Sequence, residues 1–517
     1  MELKAIAKPS LPKLAWLSDV DRTNGSVTLL HGPCVEVRAN YFIEGVWNGP
    51  FQDGDFGETD CVFGTGGILD AESVRFVPSA STVDSLYYKE SGSRVIVSNS
   101  LPLLLGYIED SLDPRYLEYP QICDSIMLGI NHYRREIPTK NGTVRRQLYW
   151  NLNVSRERVW ESEKRMPPRF PRFEDYREYL QHNYALMAAN ARDSTRSEPL
   201  EILSTQSTGY DTTAVNALAC AYGIEKSFTV TKAKSVGSLA HQAEGEDPDD
   251  DGSVICSLLG LPCIPINRRA FAEEFDEEHL YYRALHHNQD ANLLEIGKHI
   301  RRVSVLLTGN GGAIWYPKAS RAELLGEELP GSELNSTDSG GLGMAEWRLV
   351  VGFIQLPLPH VGARRKRDIL DITESSELDR WRLGRAYDRP IARRIAEEAG
   401  VPRQLFGQEK KGSVVIFPSP AIPHGKALRD EFFQYLADKK IMAKSMTCLW
   451  PFVRWVNSIL MMRSQRRYPA VYFVERVISK LIGRHFRFKR MWSNLNGALY
   501  CFCVNRAAKA YADDHHL

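Results

Sequence analysis

The residues best placed to act together chemically are Ser207, Gly209, Asp211, Thr212 and Thr213, within Ser207-Thr208-Gly209-Tyr210-Asp211-Thr212-Thr213. An apolar segment ending Ile202-Leu203 precedes them and reads as a buried strand. Ala214 to Tyr222 follows and reads as a helix closed by Gly223. A hydroxyl-rich turn with a glycine, set between a strand and a helix, has what a phosphate group needs. The glycine admits the anion to the backbone, the helix start offers free N–H groups, and hydroxyls add donors. A second turn of this kind follows Val303-Ser304-Val305-Leu306-Leu307, with Thr308, Gly309, Gly311 and Gly312 in Thr308-Gly309-Asn310-Gly311-Gly312-Ala313-Ile314. Lys410, in Gln408-Glu409-Lys410-Lys411-Gly412, reads by itself as part of a solvated loop.

These groups need a scaffold that brings strand ends together. From residue 200 onward, strands and helices alternate: a strand up to Leu203, a second over Ser227 to Thr231, a helix near Asp249 to Leu259, a third strand over Cys263 to Ile266. That order predicts a mostly parallel sheet with ligands at the carboxyl ends of its strands. The acidic run from Glu244 to Asp251 between them is expected as a surface loop. Upstream, Glu174 to Asn190 predicts a helix, with Tyr176, Leu180, Tyr184, Met187 and Ala191 on its core face. Residues 1 to 150 read as short strands broken by glycine-rich turns. Residues 151–172, rich in arginine and proline, are expected to be a linker.

The first turn resembles the pyrophosphate-binding loop Ser-Gly-Gly-x-Asp-Ser-Ser of the asparagine synthetase superfamily of AMP-forming ATP pyrophosphatases. Ser207, Gly209 and Asp211 carry the match, Thr212 and Thr213 replace the serines, and Thr208 replaces the first glycine. The second turn resembles that family's Ser-Gly-Asp-Gly-Gly-Asp-Glu signature, but Asn310, Ala313 and Ile314 stand at its three acidic positions. Lys410 falls on the family lysine that contacts the phosphates. Ser85-Leu86-Tyr87-Tyr88, Val97-Ser98 and Tyr149-Trp150 resemble elements of the glutaminase domain that precedes the synthetase domain. A glutaminase of that class needs an N-terminal cysteine, and residue 2 is Glu, with Cys34 the nearest thiol.

The resemblance implies an α/β protein. An N-terminal glutaminase-like (Ntn-type) α+β domain, degenerate, over 1–150 would be followed by a doubly wound parallel-sheet ATP pyrophosphatase domain over 173–445. It implies ATP as cofactor, cradled by Ser207, Gly209, Asp211, Thr212, Thr213, Thr308, Gly309, Gly311 and Gly312. Lys410 and Asp211 would be catalytic, with Mg2+ on Asp211, a site weakened by the acids missing at 310, 313 and 314. The implied reaction activates a carboxylate as its adenylate for attack by an amine, as in the related lasso-peptide cyclases and beta-lactam synthetases, and the substrate can be a peptide. A non-catalytic scaffold that binds a nucleotide or partner is the alternative.

Bulk composition fits these readings. A chain of 517 residues exceeds one ordinary core, and a net charge of +1 recommends no nucleic-acid partner. Nine irregularly spaced cysteines suggest reduced thiols and a cytoplasmic protein, and Cys501-x-Cys503 has no second pair to complete a metal site. The start lacks the apolar core of a signal peptide, and no run reaches the roughly 18 apolar residues of a membrane span. The tail, 446–517, mixes basic and aromatic residues. It is expected as a packed helical end with a wet basic face rather than a contact for a membrane or acidic partner.

Overall fold

Short strands build the first half of the molecule, and each points alternate side chains to opposite faces of its sheet. The computed structural model describes residues 1–231, 250–266, 292–317, 334, 345–385, 387–408, 422–423, 425–442, 476–481, 483 and 493–514. Its first strands are β1 (Glu2–Ala7), β2 (Trp16–Asp21), β3 (Ser26–His31), β4 (Glu36–Val37), β5 (Tyr41–Trp47), β6 (Val62–Leu69) and β7 (Ser73–Val77). β8 (Leu86–Ser91), β9 (Arg94–Ser98), β10 (Glu136–Thr139), β11 (Gly142–Gln147), β12 (Asn151–Ser155) and β13 (Val159–Ser162) follow. They form two sheets, in the orders β1-β3-β2-β9-β8-β11-β10 and β13-β12-β7-β6-β5-β4. The sheets share one core, in which Trp16, Val27 and Val97 of the first meet Phe42, Phe76 and Leu152 of the second. Trp16 stacks on Phe76 at 6.0 Å, and its indole N–H donates to Thr65 Oγ1 at 3.0 Å.

The expected linker therefore starts later. β12 pairs antiparallel with both β7 and β13, and Leu152 and Val154 are buried in the sandwich. Charged residues at Arg156, Glu157 and Arg158 mask this in the sequence, because they form only the turn of the hairpin. The connection narrows to residues 163–172.

The second half is built on five parallel strands, β14 (Glu201–Gln206), β15 (Lys226–Val230), β16 (Cys263–Ile266), β17 (Ser304–Thr308) and β18 (Phe353–Pro357). Their order is β16-β15-β14-β17-β18, so the winding reverses between β14 and β17. Both faces are covered. Ile202, Val305 and Leu307 pack on the side of α3 (Phe173–Ala191) and α4 (Tyr210–Ala219). Leu203, Leu306 and Phe353 pack on the other side, with Phe432 and Leu436 of the helix Lys426–Asp438 and Leu499 of the helix Ser493–Asp514. α3 begins one residue before the predicted helix and ends one after it, with the expected Tyr176, Leu180, Tyr184 and Met187 buried.

The C-terminal helix belongs to the body of the molecule, as a packed end should. A Cβ on its Gly497 would lie 1.8 Å from Leu117 O, so only glycine fits that approach. Cys501 and Cys503 are both buried in this helix. Among the described residues, no helix is long and apolar enough to cross a membrane.

One buried charge cluster joins the halves. Arg348, 1% exposed, donates through both terminal nitrogens to Glu44 of β5, at 2.8 and 2.9 Å, and through Nε to Asp84 at 2.6 Å. Glu44 also accepts from Thr65 Oγ1, and Ser100 Oγ donates to Glu346 at 2.9 Å. Burial opposes the charge on Arg348, but the two carboxylates outweigh it and raise the guanidinium pKa. Removing one member of such a set strands the others in an apolar interior. Arg348→Met is expected to lower the unfolding free energy by about 3–5 kcal/mol. Denaturant titration checks this, and a loss below about 1 kcal/mol, the scale of an exposed pair, would show the cluster is not what holds the halves together.

Candidate functional site

β14 runs to Gln206, three residues beyond the predicted strand end, and α4 starts at Tyr210 rather than Ala214. Asp211, Thr212 and Thr213 therefore sit in the first helical turn. The hydroxyls make this start possible by taking up backbone groups locally. Thr213 Oγ1 donates back to Gly209 O at 2.7 Å, and Ser207 N donates to Thr212 Oγ1 at 3.0 Å. Ser207 Oγ accepts from Gly209 N at 3.1 Å and lies 2.9 Å from Thr212 Oγ1. Gly209 occupies the N-cap in an extended conformation, and no side chain caps the helix. The start of α4 thus keeps the partial positive charge and open donors that suit an anion.

Thr208, where the resembled loop has glycine, is tied to the acidic segment. Its N–H and hydroxyl both donate to Asp250 Oδ1, at 2.9 and 2.5 Å. Asp250 is 2% exposed, so this end of the expected surface loop turns inward to brace the site. The reason is local: Gly252 N donates to Thr229 Oγ1 at 2.8 Å, anchoring the segment beside β15 just before α5 (Ser253–Leu258). Residues 244–249 lie outside the described residues.

The second turn meets the first. Cβ atoms added at Gly309 and Gly312 would lie 2.7 Å from Asp211 Cβ and 2.3 Å from Asp211 Cγ, so both glycines press on Asp211. Gly311, at φ +79°, lies over His360, whose ring would be 2.4 Å from an added Cβ. Burial pushes the His360 imidazole down to about 4, so it is neutral at physiological pH. Gln355 Nε2 donates to Thr308 Oγ1 at 3.4 Å. Asn310, 8% exposed, has neither amide atom hydrogen-bonded among the described residues. The two turns thus converge where β14 and β17 diverge, the place where open parallel sheets bind ligands.

Two arginines complete the site, and the sequence reading did not single them out. Arg389 precedes the helix Pro390–Glu398, and Arg393 lies one turn on; both are buried. Arg389 pairs with Asp211 and lies over the Tyr316 ring, 3.8 Å from its centroid. Arg393 donates to Tyr210 Oη and lies 5.0 Å from that ring's centroid. Burial lowers Arg389 to about 9, which leaves it charged at pH 7. The available signal was position: Arg393 falls on the face of that helix that also carries Ile391, Ala392, Ile395 and Ala396 into the core. An arginine on a core-facing stripe is seldom buried without a partner.

The segment leading towards Lys410 touches the loop, since Gly407 N donates to Thr208 O at 2.8 Å. Lys410 itself lies outside the described residues, as does most of the basic tail from 443 to 492. Cys34, the nearest thiol to the start of the chain, is half-buried, and burial pushes its pKa up. That is the reverse of what activates a cysteine nucleophile.

The donor set at Asp211 does not fit magnesium. Among the described residues, no three His, Cys, Asp or Glu side chains are grouped to hold a metal ion. Asp211 is already neutralised by Arg389, and Asn310, Ala313 and Ile314 supply no carboxylate. A divalent cation about 4 Å from a fixed guanidinium is repelled by roughly 8 kcal/mol at an effective dielectric constant of 20. No protein-family model and no curated protein matches the chain.

The close approach of the two turns can be tested directly. Gly309→Ala places a methyl group 2.9 Å from Thr212 N, where backbone cannot yield cheaply, and should destabilise the fold by about 1–3 kcal/mol. An unchanged unfolding midpoint would show that the turns are not pressed together.

Proposed function

We propose that this chain is an ATP-dependent, AMP-forming ligase of the asparagine synthetase type, joining a carboxylate to an amine without hydrolysing glutamine. The observation that carries the reading is the meeting of the Ser207–Thr213 and Thr308–Gly312 turns at the winding reversal of a parallel sheet, with buried Arg389 beside them. In this reading the two-sheet half is a glutaminase-like (Ntn-type) domain without a working thiol, and the parallel-sheet half is the ATP pyrophosphatase domain. The protein works in the cytoplasm.

Each group has a task that follows from its chemistry. Ser207, Thr212 and Thr213, with the start of α4, hold the outer phosphates of ATP. Thr308, Gly309, Gly311 and Gly312 form the facing wall. An oxygen of the substrate carboxylate attacks the α-phosphorus, and the bond from that phosphorus to the bridging oxygen breaks. Pyrophosphate leaves with its charge offset by Arg389 and Lys410. The amine nitrogen then attacks the acyl carbon, AMP departs, and the amine gives up a proton to solvent. A carboxylate is a poor electrophile and its adenylate a good one, so positioning and charge supply most of the catalysis. A peptide carrying both groups is one fitting substrate.

A second reading is favoured by one observation: Asp211 is neutralised by Arg389 and faces no second carboxylate from the Asn310 turn. Under it, the chain binds a nucleotide or partner as a scaffold and turns nothing over.

Pyrophosphate release from ATP, with a panel of carboxylates and amines or a cell extract, separates the two readings. Lys410→Ala should reduce release at least about 100-fold without shifting the unfolding midpoint, as loss of a transition-state charge contact does. Undiminished release in that variant would remove Lys410 from its role. ATP binding with no release under any acid would favour the scaffold.

A further inference from the structure

We propose that the site takes its phosphate ligand as a metal-free anion, with Arg389 in the place of a divalent cation and the Asp211 carboxylate as a built-in plug that the anion displaces. The inference rests on the reading of Ser207–Thr213 as a phosphate site, and specifies the form of ligand it accepts.

Three observations converge. Asp211 lies in the first turn of α4, where a bound anion is expected, and its carboxylate is paired with Arg389. A carboxylate held there by a guanidinium occupies the position a phosphate oxygen would take. Arg389 is 2% exposed and its Nε has no hydrogen-bond partner among the described residues. The planar guanidinium, backed by the Tyr316 ring, therefore retains donor capacity beyond Asp211, and a two-pronged phosphate contact would use it. Finally, Asn310 stands in the facing turn with both amide atoms unpartnered, a neutral donor where a metal site would need a carboxylate.

The proposal predicts an effect opposite to that of a metal site. If Asp211 is a plug, removing its charge frees Arg389 and strengthens anion binding. If Asp211 is a metal ligand, the same change abolishes binding.

The test is calorimetric titration of the full chain with sodium pyrophosphate, first in EDTA and then with excess magnesium. Wild type should bind in EDTA, and magnesium should weaken binding by sequestering the free anion. Asp211→Asn should tighten binding at least about 5-fold, and Arg389→Met should weaken it at least about 10-fold, the scale of one charged hydrogen bond. Should Arg389→Met fail to fold, Asp211→Asn decides alone. Binding that requires magnesium and disappears in Asp211→Asn overturns the proposal but leaves a phosphate site. No binding in either buffer overturns both the proposal and the phosphate reading beneath it.

Discussion

A buried guanidinium has to be paired, and Arg389 is buried where the parallel sheet opens between β14 and β17. Its partner, Asp211, stands in the first turn of α4, so the pair fixes the helix Pro390–Glu398 against the helix that leaves the central strand. Gly309 and Gly312 can approach only because they have no side chains, and the Tyr316 ring covers the face of the guanidinium. The arrangement of both turns, and the sign of the charge they offer a ligand, follow from that one pair.

The cluster around Arg348 does comparable work between the halves with a different outcome. Two carboxylates from the sandwich meet one guanidinium from the parallel-sheet half, each of its three nitrogens donates, and Thr65 and Asn99 donate to Glu44. Asp84 Oδ2 is the member left without a hydrogen-bond partner among the described residues. At Arg389 the spare capacity lies on the cation instead: one carboxylate faces the guanidinium, and Nε has no hydrogen-bond partner among the described residues. A guanidinium whose nitrogens are all used rigidifies its surroundings, whereas one with unused donors marks a place where something else is to bind.

What could be read from the sequence was what depends on local periodicity. The stripe Tyr176, Leu180, Tyr184 and Met187 fixed α3 to within a residue at each end, and the apolar run Cys263–Ile266 gave β16 its full length. The two glycine turns were legible as turns because each follows an apolar strand and clusters glycine with polar residues. α4 was placed too late because Tyr210 to Thr213 looks like a polar turn; only the back-bonds of Thr213 to Gly209 and of Ser207 to Thr212 reveal a helix start. β12 and β13 were missed since their hairpin turn is the most charged part of the segment. Asp250 lies 42 residues from its partner Thr208, and Arg389 lies 178 residues from its partner Asp211, so no local pattern could join them. The metal expectation at Asp211 rested on family resemblance, whereas the departures at 310, 313 and 314 are read from the chain's own residues.

The central claim is that the two turns and Arg389 form one anion site. Hydrogen–deuterium exchange with and without millimolar pyrophosphate tests it most directly, because bound anion must quench the open N–H groups at the start of α4. Slowed exchange confined to residues 207–213, 308–312 and 387–393 is the predicted result. Slowing elsewhere, or none at all, would contradict it.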